Sequence, residues 1–118
     1  MRLLSAATIV LLMLCNPRLA IAGDYAPLDC ARAKSASDIT ICRTYSLGQA
    51  EARMAALYGI ATSLVAMGQR GDIRDAQAAF LKAREACGRD VACLTRTYTI
   101  RIEQLNKVIA AIASRGPY

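Results

Sequence analysis

Residues 72–112 read DIRDAQAAFLKAREACGRDVACLTRTYTIRIEQLNKVIAAI, and this stretch decides the fold. Asp72 is a helix cap, and Ile73, Ala76, Phe80, Leu81, Arg84 and Cys87 fall roughly on one face of the helix that follows. Gly88 comes directly after, where a left-handed C-cap wants glycine. Asp90 caps the next helix. Its apolar positions, Val91, Leu94, Tyr98, Ile102, Leu105, Val108, Ile109 and Ile112, recur at three- to four-residue steps. Cys87 closes one helix and Cys93 lies one turn into the other.

The same period extends upstream. Leu47, Ala50, Met54, Leu57, Tyr58, Ala61, Leu64 and Val65 describe a second long amphipathic helix. Gly68 and Gly71 flank Gln69-Arg70, which reads as a polar turn before Asp72. Before the long helix, Tyr45-Ser46 reads as a corner, with Ser46 a second cap candidate. A short helix precedes it, capped by Ser35 with Asp38 as the acidic half of a capping box and carrying Ile39, Ile41 and Cys42. Gly23 to Lys34 reads as an irregular lead-in, because Pro27 opposes an early helix. Ser114 to Tyr118, with Gly116-Pro117, reads as a frayed tail. No strand-like alternation and no repeat occurs. The expected fold is all-α: three long helices and one short helix in an antiparallel bundle or hairpin array.

Residues 1–22 read as an export leader. Met1-Arg2 is a short positive start, Leu3 to Cys15 is an apolar run too short to span a bilayer, and Asn16-Pro17 breaks it. Ala20-Ile21-Ala22 supplies small residues at the positions a signal peptidase reads, so residues 23–118 are expected as one mature domain, in the periplasm or secreted. Membrane contact is then confined to the leader during export.

Cys15 leaves with the leader, and Cys30, Cys42, Cys87 and Cys93 remain as an even set in an oxidising context. Four thiols allow three pairings. Cys30–Cys42 with Cys87–Cys93 closes two short local loops, whereas a crossed pairing ties the two halves together. A metal site does not suit these thiols: the chain has no histidine, and neither spacing is Cys-x-x-Cys.

The composition also narrows function. Losing Arg2 and Arg18 with the leader leaves thirteen bases against nine acids, a net charge of +4. That charge tolerates an anionic surface. With few aromatics and no basic cluster, nucleic acid is not an expected partner. Without histidine there is no base poised near pH 7, and no lysine has an evident partner that would activate a serine. Asp72 and Asp75, the closest helical carboxylate pair, read as first-turn acids favoured by the helix dipole. The glycines form no phosphate loop. No catalytic residue, cofactor or metal is therefore assigned. Arg84, between Phe80 and Cys87, reads as a core arginine at a helix C-terminus or as a partner-facing anchor.

These residues together resemble a known family: the cysteine-containing helical domain named after a mycobacterial lysozyme inhibitor, the LprI-type N-terminal domain. Asp29-Cys30 and Ile41-Cys42 match its opening pairs, and Leu47 and Tyr58 its first long helix. Gln77, Phe80-Leu81, Arg84, Cys87-Gly88, Cys93-Leu94, Tyr98, Arg101-Ile102 and Leu105 follow in the family's order and spacing. Phe80 stands where the family has tryptophan, and Glu51 and Arg53 stand where it has an Asp and a Glu. The resemblance spans about Leu28 to Lys107. It implies an exported, disulfide-stapled helical domain that binds rather than transforms, with lysozyme or another envelope enzyme as the implied partner. The alternative is a non-inhibitory periplasmic stress or envelope protein that binds another protein, anionic lipid or the cell wall.

Overall fold

A computed structural model describes residues 27–116. The leader reading, including cleavage after Ala22, and the last two residues of the tail lie outside the described residues. Four α-helices follow a single 3₁₀ turn at Cys30–Arg32: α1, Ala36–Arg43; α2, Tyr45–Leu64; α3, Met67–Cys87; and α4, Val91–Ala113. The expected set of one short and three long helices is present, with no strand among the described residues. Two-residue and three-residue connections reverse the chain between α2, α3 and α4. The last helix is the hub: it packs chiefly on α2 and less closely on α3, while α2 and α3 touch little. The short α1 lies across one end and meets all three long helices.

Local chemistry sets most of the helix ends. The Ser35 Oγ accepts from the Asp38 amide at 3.1 Å, as a Ser N-cap does. Asp90 Oδ1 accepts from the Cys93 amide at 3.0 Å and starts α4. Gly88 ends α3 as expected but with φ +56° and ψ −119°, a positive-φ conformation other than the left-handed helical one, and one that a Cβ would strain. In the lead-in, Asp29 caps the 3₁₀ turn through the Ala31 amide, so this segment is less irregular than Pro27 suggests.

Two boundaries differ from the sequence reading. The corner before α2 falls at Thr44, and Tyr45 and Ser46 are already helical; Ser46 is not the cap. More substantially, Gly68 to Gly71 is not a turn. The reversal is made by Val65 and Ala66, both extended, and α3 begins at Met67. Arg70, read as a turn residue, is helical. Its Nε donates to the Thr62 carbonyl at 2.9 Å and its Nη2 to the Val65 carbonyl at 3.1 Å. The side chain thereby satisfies carbonyls at the end of α2. Asp72 and Asp75 consequently lie beyond the first turn of α3, exposed, and neither caps it.

The core contains Ile41, Leu47, Met54, Tyr58, Phe80, Leu94, Tyr98, Leu105 and Ile112. Phe80 meets Tyr98 edge to face, with ring centroids 5.3 Å apart. That geometry suits the aromatic quadrupoles. Two predicted apolar positions are not internal: Leu64 is 56 % exposed and Val91 43 %. Both sit at helix ends.

Candidate functional site

The stapled end of the bundle holds most of the chain's buried chemistry. Cys30 and Cys42 are bonded, with Cα atoms 5.7 Å apart, and tie the 3₁₀ turn to the last turn of α1. Cys87 and Cys93 are bonded, with Cα atoms 5.5 Å apart, and lock the α3–α4 corner. The local pairing is therefore the one present. Two disulfides suit an oxidising, extracytoplasmic setting. No described helix is long and apolar enough to cross a membrane.

Beside these staples lies a buried polar network that the sequence reading did not assemble. Glu51, on α2, is 5 % exposed. Its Oε2 accepts from the Tyr98 hydroxyl at 2.5 Å and lies 3.5 Å from Arg84 Nη1, while its Oε1 accepts from the Leu28 amide at 3.0 Å. Arg84 Nη2 donates to Asp38 Oδ1 at 3.0 Å and lies 3.8 Å from Glu85 Oε1. Glu85 in turn accepts from Ser37 Oγ at 2.6 Å and Ser35 Oγ at 3.2 Å. One set of contacts thus joins the lead-in and all four helices. Burial, then the hydrogen bond to Glu51 and its charge, raises the Tyr98 hydroxyl far above the ordinary tyrosine range, so it remains a donor.

Arg84 is therefore a core arginine near the C-terminus of α3 and not a surface anchor. It is a buried ion-pair centre facing three carboxylates. Asp38 serves two roles: its amide completes the Ser35 cap, and its carboxylate leaves the cap to meet Arg84.

A second polar cluster sits further along α3 and α4. Arg101 Nε donates to Gln77 Oε1 at 2.9 Å, Nη1 to Gln104 Oε1 at 3.2 Å and Nη2 to the Ile73 carbonyl at 3.1 Å. Gln77 Nε2 reaches Met54 Sδ at 3.3 Å. Burial pushes the Arg101 guanidinium down from its ordinary range.

Of the residues that carry the resemblance, Gln77, Phe80, Arg84, Cys87, Tyr98 and Arg101 are all buried. They hold helices together. Glu51, which stands where the resembled family has an Asp, belongs with them. Contact with anything outside the chain must come from the surface, where three features stand out. Leu64 and Met67 project at the α2–α3 turn, 56 % and 77 % exposed. Arg43 and Arg89 flank a hollow of about 470 Å³ beside α1. A groove runs between α3 and α4 over Arg101. Comparison with protein-family models, curated proteins and solved structures finds no match to this chain.

Proposed function

We propose that this chain is an exported, disulfide-stapled interaction module of the lysozyme-inhibitor-like family, acting by binding and not by catalysis. In its strict form the activity is inhibition of a peptidoglycan-cleaving enzyme. The observation that supports this reading most is where the polar residues of the family pattern lie. Gln77, Arg84 and Tyr98 are spent on internal bonds between helices, as a rigid binding scaffold requires. A scaffold stapled at one end and pinned by buried ion pairs loses little freedom on binding.

Turbidity assays with several lysozyme types test it, using the oxidised protein. A net charge of +4 after leader removal gives no long-range attraction to a cationic lysozyme. Inhibition through short-range contacts should survive, or strengthen, as salt is raised to physiological ionic strength. Inhibition that collapses over that range would implicate a local acidic patch such as Asp72 and Asp75.

The same positive charge favours a second reading, a non-inhibitory envelope protein that binds another periplasmic protein, anionic lipid or the cell wall. Absence of inhibition at any salt, across lysozyme types, would select it.

A further inference from the structure

Arg101 is 3 % exposed, yet its three hydrogen bonds all go to neutral acceptors, Gln77, Gln104 and the Ile73 carbonyl. Among the described residues, no carboxylate lies within ion-pairing distance of it. Arg84, in the other cluster, meets three carboxylates. A buried charge held only by neutral dipoles is costly, and a guanidinium has five N–H donors, so each Nη of Arg101 keeps one to offer.

Arg101 lines a groove of about 270 Å³ between α3 and α4, and it is the only charged residue lining that hollow. The α3 wall is Ala76, Ala79 and Ala83, small enough for close backbone approach, and Ile100 stands on the α4 rim, 57 % exposed. Gln104, itself exposed, covers Nη1. Beyond Gln104 the groove continues as a second hollow of about 310 Å³, with Asp72 on its edge.

We infer that this groove receives an amphipathic helix of a partner protein, which places an Asp or Glu carboxylate against Arg101 after Gln104 swings aside. The inference rests on the reading of the chain as a binding module. Two observations select this occupant. Charge complementarity asks for an anion at Arg101. The elongated course along two helices, with alanines on one wall and an exposed isoleucine on the other, suits a helix laid in a groove. Asp72 then excludes a second acid at the far end and favours a basic or neutral side chain there.

The test uses two capped, sixteen-residue helical peptides with a leucine–alanine face and lysines opposite. They differ only in one central residue of the apolar face, glutamate or glutamine. Titration into the ¹⁵N-labelled, oxidised protein should show the glutamate peptide binding at least tenfold more tightly. Shifts should centre on the Arg101 Nε–H and the amides of Thr97, Ile100 and Gln104. Arg101→Gln should erase the preference. Because that variant removes a buried group, Ile100→Glu supplies the second arm: the site is exposed, so the melting temperature should hold while the glutamate peptide weakens at least tenfold. Equal affinity for the two peptides, no binding, shifts elsewhere, or a preference that survives Ile100→Glu would each overturn the inference. So would a wild-type dimer whose interface shifts the same groove resonances, since a second copy would then be the occupant. Lysozyme inhibition that persists in Ile100→Glu, with no peptide preference in wild type, would reject the groove while leaving the proposed function standing.

Discussion

The Tyr98 hydroxyl on α4 donates to Glu51 Oε2 on α2 at 2.5 Å, deep between the two helices that pack most closely. The same carboxylate oxygen faces Arg84 of α3. A buried carboxylate is tolerable only with such partners, and here they come from two other helices and from the Leu28 amide of the lead-in. Removing one partner leaves the rest with an uncompensated charge.

Arg84→Met should therefore destabilise the fold by about 3–5 kcal/mol, and Tyr98→Phe by about 1.5–3 kcal/mol. The double variant Glu51→Leu/Arg84→Met should cost clearly less than the sum of the singles, because neither Glu51 nor Arg84 is left buried without the other. Urea midpoints of the oxidised proteins measure all of these. Strict additivity would show that the two groups do not interact.

Alkaline pH should weaken the native state through Tyr98. Folding holds its proton well above the ordinary value of 10.0, first through burial and then through Glu51. Below about pH 10 both states keep the proton and this stabilisation is complete. Above it, the unfolded chain binds fewer protons than the folded one, so stability falls as pH rises, by up to about 1.4 kcal/mol per pH unit. Tyr98→Phe should flatten the curve between pH 10 and 11.5 by that slope. Parallel curves for the two proteins would place the tyrosine's titration elsewhere.

The glycines of α3 give opposite expectations. A Cβ at Gly68 or Gly71 meets nothing within 4 Å, and both residues lie inside a helix. Gly68→Ala and Gly71→Ala should each stabilise by about 0.5–1 kcal/mol. Gly88 has equally open surroundings but a φ of +56°, so Gly88→Ala should cost about 1 kcal/mol or more. Thermal melts decide the matter. Destabilisation by alanine at Gly68 or Gly71 would restore the turn.

Removing the staples should show their unequal leverage. Under the chain-entropy argument the Cys30–Cys42 loop contributes about 3 kcal/mol and the Cys87–Cys93 loop about 2 kcal/mol. Those are large parts of the roughly 5–10 kcal/mol that hold so small a domain. Paired Cys→Ser variants, compared by denaturation, should follow that order. Non-reducing peptide maps of the wild type should contain only the two local crosslinks, and a peptide joining Cys42 to Cys87 would contradict the structure.

Features that depend on near neighbours were legible before folding. Helical periodicity, the Ser35 and Asp90 caps, the stop of α3 at Gly88 and closure of two short cysteine loops are each set within about a dozen residues, and each is present in the structure. The remaining features depend on contacts between distant segments. Gly68 to Gly71 has turn-like composition, but helix packing and the Arg70 bonds to Thr62 and Val65 make it helix. Glu51 and Tyr98 are 47 residues apart, and Arg84 and Asp38 are 46 apart. No local pattern distinguishes a polar residue at such a position from one facing water. The distinction is energetic: a charge enters the core only where distant segments supply its partners, and among the described residues Arg101 is met only by neutral ones.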